Sequence, residues 1–506
     1  MKKKFNRALA ALLMVCLTLS LAACGSAPQG AAVDGLQKAR QNQGVSVHDP
    51  YTVKYDGTYY IFGSHMTAAK STDLKSWTMF ADGYYQNNPV YGQYLAGGES
   101  FAYTGNYEDG GWAIWAPSVM YNEPMGKWVM YYSASRNWIA SNICMATADS
   151  VEGPYTYQAT LLYSGWSSVD VDKTNVKEIL GEDMMMSTYM SNGTYDHLNW
   201  PNCIDPTVFY DKDGKLWMVY GSWAGGIFLL EIDESTGLPI HPAEDKANAV
   251  DPYYGKRLIG QGHKSCEGPF IYYDAGSDYY YLFVSYGALT QKGGYQMRLY
   301  RSKAVDGPYQ DAAGQTLGMV LDHSSYGLKM MGNYSFPSLD AGYMATGHNS
   351  ALVDEDGSRY LIYHTRFEGK GEYHEPRVHQ MFVTEDGWLV AAPFAYEGEK
   401  LTDGGYADQG SVAGVYYVVD HGTDIGDAIH EAQAWKLNSN GKVSGDGISG
   451  TWSLTAGTSY ITLTIGETVY HGVIMEMADE AGNPVRCFSA AGTNNETLMG
   501  VHYLSE

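Results

Sequence analysis

The sequence predicts an all-β protein, a five-bladed β-propeller followed by a small antiparallel β-sandwich or barrel. Composition is the first reason: of 506 residues, 44 are Tyr, 12 Trp and 59 Gly, and only 17% are charged. That balance suits many short strands joined by tight turns better than it suits helices. The second is a repeat: a short strand, a Gly-containing turn and a strand of aromatic and β-branched residues recur five times, at intervals of roughly 60–90 residues. The third is a change of pattern near Gly414, where half-buried alternating strands take over.

The chain opens with an export signal. Met1-Lys-Lys-Lys and Arg7 form a basic region, and Ala8 to Leu21 is apolar but short for a bilayer span. It ends in Leu21-Ala22-Ala23-Cys24, which resembles a bacterial lipobox, so residues 1–24 read as a lipoprotein signal with Cys24 as the lipidated residue. Residues 25–45, rich in Gly, Ala and Gln, read as a flexible tether. The expected location is extracytoplasmic, with membrane contact only through the lipid.

The five units follow within 46–396. Unit one runs from His48-Asp49-Pro50 through the Asp56-Gly57 turn to Tyr59-Tyr60-Ile61-Phe62. Unit two runs from Trp115-Ala116-Pro117-Ser118 to Trp128-Val129-Met130-Tyr131. Unit three links Ile204-Asp205-Pro206 to Leu216-Trp217-Met218, and unit four links Glu267-Gly268-Pro269 to Tyr279-Tyr280-Tyr281. Unit five links Gly347-His348-Asn349-Ser350 to Tyr360-Leu361-Ile362. The first strand of each unit is expected to line the channel, with Asp49, Ser118, Asp205, Glu267 and His348 in matching positions. Residues 400–506 form the second domain, without a carboxylate cluster of catalytic character.

A net charge of −24 excludes a nucleic-acid partner, whose phosphates would be repelled. Cys144, Cys203, Cys266 and Cys487 are too sparse for a disulfide framework and match no zinc spacing, so they read as buried thiols. Three carboxylates converging from separate blades point to hydrolysis of a glycosidic bond. That reaction needs one carboxyl to protonate the leaving oxygen and another to activate water or attack the sugar.

The ordered set Val47-His48-Asp49-Pro50, Trp115-Ala116-Pro117, Cys203-Ile204-Asp205-Pro206 and Ser265-Cys266-Glu267-Gly268-Pro269 resembles glycoside hydrolase family 43. Gly347-His348-Asn349-Ser350 and Arg377-Val378-His379-Gln380-Met381 are similar to its two-domain endo-α-1,5-L-arabinanases, and the resemblance covers nearly the whole mature chain. It implies inverting cleavage of internal bonds in arabinan, the side chain of pectin, or in arabino-oligosaccharides. Asp49 would be the base, Glu267 the acid and Asp205 the residue that raises the acid's pKa, with base and acid about 6.5–9.5 Å apart. His348 would reach a channel metal, calcium, coordinated mostly by water. Trp115 and Trp223 would stack on sugar rings, Asn202 and Ser222 would bond hydroxyls, and Arg366 would face the site. Ser118 stands where many relatives carry Asp. Two other readings stand beside this one. One is an exo-acting α-L-arabinofuranosidase or β-xylosidase of the same family, and the other is a non-catalytic sugar-binding propeller.

Overall fold

The structure is a computed structural model that describes residues 33, 36–39, 44–83, 88–91, 98–316 and 324–504. The expected export signal and Cys24 lie outside the described residues.

Four-stranded antiparallel sheets form the blades. Blade 1 spans Tyr51–Tyr55, Thr58–Gly63, Thr67–Ser71 and Thr78–Ala81; blade 2 spans Ala113–Asn122, Lys127–Ser135, Ser141–Ala148 and Thr156–Tyr163. Blade 3 is built on Thr207–Tyr210, Leu216–Tyr220, Ile227–Ile232 and Gly255–Ile259, with two short added strands. Blade 4 comprises Glu267–Asp274, Tyr279–Tyr286, Gln296–Ser302 and Leu328–Met331. Blade 5 is built on Tyr343–Val353, Arg359–Phe367, Glu375–Val383 and Leu389–Ala391, and is extended by Tyr334–Ser335 and, parallel to it, by His430–Glu431 of the C-terminal domain. The four main strands of every blade use one continuous stretch of chain, so no main strand is shared to close the ring. Contacts between blades 1 and 5 close it instead: Val47 and Ile61 pack with Ile362 and Val378, Lys54 pairs with Asp354, and Ser350 Oγ donates to Thr52 Oγ1 at 3.2 Å.

The first strand of every blade is entered through a residue in the left-handed region. These are Asp49 (φ 53°), Ala116 (φ 40°), Asp205 (φ 57°), Gly268 (φ 57°) and His348 (φ 47°). In four blades the next residue is Pro, which normally drives its predecessor to extended backbone. Each non-glycine case therefore holds strain on the order of 1–3 kcal/mol. The ladder is interrupted just there in blades 2, 4 and 5, between Trp115 and Ser118, Glu267 and Phe270, and Gly347 and Ser350. Such bulges re-aim side chains beside functional sites.

This register corrects the sequence alignment of the blades. The equivalent residues are Asp49, Ala116, Asp205, Gly268 and His348, so Glu267 sits one residue before its blade's turning point and Ser118 two residues after. Ser118 is fully buried, and its Oγ accepts the Val208 N–H at 3.1 Å, which ties blade 2 to blade 3 and keeps it out of the site.

Of the two C-terminal options, the structure has the barrel. Eight antiparallel strands from Gly414–Asp420 to Thr497–Tyr503 close when the first pairs with the last. Phe336, Leu361 and Phe394 share one apolar cluster with Val473, Met475, Val485 and Met499, so the barrel is packed against blade 5. Within the expected tether, 25–45, the described residues 36–39 are packed against the fold. Leu36 packs on that same cluster, the Ala39 N–H donates to Ser338 O at 3.1 Å, and Asn483 donates to Gln37 O at 3.0 Å. An apolar Leu and paired backbone hold this stretch down. Cys144, Cys203, Cys266 and Cys487 are buried and free.

Candidate active site

One mouth of the channel opens into a cavity of about 360 Å³ whose walls include Asp49, Asp205, Glu267, His348, Trp115 and Trp223. The three carboxylates predicted from separate blades are thus brought together, with no Lys or Arg among the lining residues.

Asp49 is held in its ionised form. His48 Nδ1 lies 2.8 Å from Oδ2, Ser64 donates to the same oxygen, and His348 Nδ1 lies 3.1 Å from Oδ1. Burial alone would raise its pKa, but the His348 and His48 rings outweigh burial and hold it well below the usual carboxylate range. An ionised carboxylate has about four acceptor sites, so Asp49 retains capacity for one further donor such as water. The Asp49 N–H donates to His364 Nδ1 at 3.1 Å, which fixes the strained backbone.

Glu267 is in the opposite state. Burial pushes its pKa up and the Asp49 charge adds to that, while His348, Tyr295 and Ser222 pull only partly against them. Trp223 Nε1 donates to Oε2 at 2.7 Å and Ser222 Oγ at 3.0 Å. An indole nitrogen can only donate, so a proton on Glu267 belongs on Oε1. Asp205 is also raised, by burial first and then by Glu267 and Asp49, against His348 and the Gly268 N–H that reaches Oδ2 at 3.2 Å. Glu267 and Asp205 therefore resist being ionised together, as two carboxylates in one dry site must.

His348 stands among all three. Burial would lower its pKa, but Asp49, Asp205 and Glu267 lift it to about 9. A hard cation prefers oxygen to imidazole, so at His348 water would have to supply most of its shell, in a wall with carboxylates and without a basic side chain. Among the described residues, His48, Asp49 and His364 also have ligand atoms within 4.8 Å of one another. Two of its ring nitrogens are engaged, since His48 Nδ1 bonds Asp49 and His364 Nδ1 accepts the Asp49 N–H, while His364 Nε2 is buried without a hydrogen-bond partner among the described residues.

The expected sugar contacts are redistributed. Trp115 lines the cavity, braced edge-on by His65 at 4.6 Å. Ser222 and Trp223 line it too, but their polar atoms serve Glu267. Asn202 touches the wall, yet its amide donates to Trp138 O at 3.1 Å and its oxygen accepts from Ser164 Oγ at 3.3 Å. Arg366 is not on the wall: its guanidinium pairs with Glu372 at 2.7 Å.

Several wall residues were not read from the sequence, among them Tyr107, Trp138, His263 and Leu289, all on loops. Tyr295 was missed as well. Its ring stacks on His364 at 5.7 Å and lies where a Cβ on Gly347 would come within 2.3 Å, and its hydroxyl bonds Glu267. The Gly347-His348 pair carried that signal, since a glycine beside a site residue can mark close approach of a ring.

A five-bladed ring that gathers buried carboxylates of opposed proton affinity at one mouth defines a glycosidase-type propeller. Residues 187–389 match Glycosyl hydrolases family 43, and residues 393–500 match a C-terminal lipocalin-like domain. Extracellular endo-alpha-(1->5)-L-arabinanase 2 of Bacillus subtilis (strain 168) is 39% identical over 90% of this chain and 92% of its own length. The extracellular endo-alpha-(1->5)-L-arabinanase of Thermotoga petrophila is also 39% identical, over 90% of this chain and 93% of its own. Among solved structures, a family 43 glycoside hydrolase from Bacillus licheniformis superposes with a TM-score of 0.78 at 40% identity, covering 91% of this chain and 99% of that one. Endo-1,5-alpha-L-arabinanase from Thermotoga petrophila RKU-1 gives 0.77 at 36% identity, covering 92% and 100%. The chain belongs to glycosyl hydrolase family 43.

Proposed function

We propose that the protein hydrolyses internal α-1,5-L-arabinofuranosidic bonds of arabinan with inversion. The observation that carries this reading is the split between Asp49, held ionised, and Glu267, held toward the protonated form, on one cavity. Asp49 takes a proton from water as that water attacks the anomeric carbon. Glu267 gives its Oε1 proton to the departing glycosidic oxygen, so the C–O bond breaks as the new one forms. Asp205 keeps Glu267 protonated through its charge and is held by the Gly268 N–H. Trp115 offers a ring face to the sugar.

Endo action on arabinan is supported by the two relatives of that name at 39% identity over 90% of the chain. Linear arabinan should lose viscosity early and release a spread of oligosaccharides. Release of arabinose alone from the first time points would overturn endo action in favour of the exo reading. A wild-type protein that binds arabinan without cleaving it would favour the non-catalytic one.

His348, through the imidazole nitrogen turned away from Asp49, would hold calcium with water completing its shell. When bound, the ion would supply positive charge that steadies the ionised carboxylates. Both relatives are named extracellular, which supports an extracytoplasmic location. Anchoring through Cys24 rests on the Leu21-Ala22-Ala23-Cys24 sequence. Replacing Cys24 by Ala should abolish incorporation of labelled fatty acid, and undiminished labelling would exclude that residue as the anchor.

A further inference from the structure

The channel has a second mouth, and it is built differently. The first strand of each blade ends in a repeated pair: Tyr55-Asp56, Tyr121-Asn122, Tyr210-Asp211, Tyr273-Asp274 and Val353-Asp354. Each lies five or six residues beyond its blade's left-handed residue. At about 3.3 Å per residue, that puts this ring roughly 16–20 Å down the strands from the catalytic carboxylates. A separate cavity of about 800 Å³ opens there, lined by Tyr55, Tyr121, Tyr210, Val353 and Glu123, and it shares no residue with the catalytic cavity.

Blade 4 shows what a purely structural tyrosine does at this position. The Tyr273 hydroxyl donates to Asp278 at 2.8 Å and ties down its own hairpin. Among the described residues, the hydroxyls of Tyr55, Tyr121 and Tyr210 make no such bond, and the three side chains stay 53%, 40% and 37% exposed. They are not loose. Tyr55 and Tyr121 stand edge-on against Trp128 at 5.1 and 5.4 Å, so their rings are fixed while part of each remains in water.

The charge around these rings narrows the class of ligand. Lys54, the only cation in the wall, is tied to Asp354, and Asp149 is tied to Lys127, while the Glu123 carboxylate adds negative charge beside Tyr210. An acidic or nucleic-acid ligand would be repelled. Fixed aromatic faces beside hydroxyls and carboxylates suit a neutral polyhydroxylated chain, whose C–H faces pack on rings and whose hydroxyls donate to oxygen.

We propose that this far mouth is a second, non-catalytic binding surface for a neutral polysaccharide, the arabinan chain itself at a point remote from cleavage. This rests on the substrate class given above. It would hold the enzyme on the polymer between cleavage events and be dispensable for short substrates.

The test combines Tyr55→Ala and Tyr210→Ala, with Tyr55→Phe and Tyr210→Phe as the pair that keeps the rings. Each pair is made in the wild type and in the Glu267→Gln background. In that background, retardation by linear arabinan in native gels should weaken about three- to tenfold for the Ala pair and stay near normal for the Phe pair. In the active protein, kcat/KM on the shortest arabino-oligosaccharide cleaved should not change. Equal retardation of the Ala pair and its parent overturns the proposal. So does an equal loss on short substrates, which would indicate a folding effect, and so does a concentration-dependent dimer in sedimentation that the Ala pair abolishes, which would make the surface a contact between copies. If the wild type neither cleaves nor binds arabinan, the substrate class falls, a result distinct from failure of this surface alone.

Discussion

Gly268 and His348 occupy equivalent turning points in neighbouring blades, and a Cβ on Gly268 would lie 2.9 Å from His348 Cγ and 3.0 Å from Nδ1. Glycine at 268 therefore serves two needs: it carries φ 57° without strain, and it leaves room for the imidazole that faces Asp49.

Gly268→Ala should accordingly damage activity more than stability. Left-handed backbone in Ala costs on the order of 1–3 kcal/mol, readable as a lower midpoint in urea unfolding. The displaced His348 should also lower kcat by at least about tenfold. Wild-type kcat in a folded variant would show that the imidazole need not sit where it does.

Glu267→Gln keeps the shape of the acid and removes its proton. Its kcat on linear arabinan should fall by about 10²–10⁴-fold, while binding of arabino-oligosaccharides and the unfolding midpoint remain close to wild type.

The basic limb of the pH–rate profile should report Glu267, which works protonated, so activity is lost as pH rises through its elevated pKa. Two substitutions should move that limb in opposite directions. Ser222→Ala removes a hydrogen bond that favours the carboxylate, so the limb should move to higher pH. Asp205→Asn removes a neighbouring negative charge, so it should move to lower pH. Shifts of the same sign would mean that the limb belongs to another group.

Calcium held at His348, as proposed above, is expected to matter for rate. Chelation should reduce kcat and added calcium should restore it, with the unfolding midpoint little changed. Activity indifferent to chelator would remove calcium from the account.

Much of this site was legible in the sequence because the blade repeat exposes it. Asp-Pro, Ala-Pro, Asp-Pro and Gly-Pro mark four strand entries, and His348-Asn349 marks the fifth. What the sequence hid was register. The left-handed turning point is a backbone property, so Glu267 and Ser118 passed for equivalents of Asp49 although each is offset from it. Side-chain partners were hidden for a related reason. Arg366 and Asn202 carry groups suited to sugar, yet Glu372, Ser164 and the Trp138 carbonyl claim them first. Trp138 and His263 sit on loops without periodicity, where no pattern announces a wall residue.

The central claim is that Asp49 activates water on the face opposite the leaving group while Glu267 protonates that group. Proton NMR of the first products from linear arabinan tests it most directly. The new reducing end should appear first as the β-anomer, with the α-anomer growing only by mutarotation. An α-anomer at the earliest time points would mean retention, and Asp49 could not then be the base.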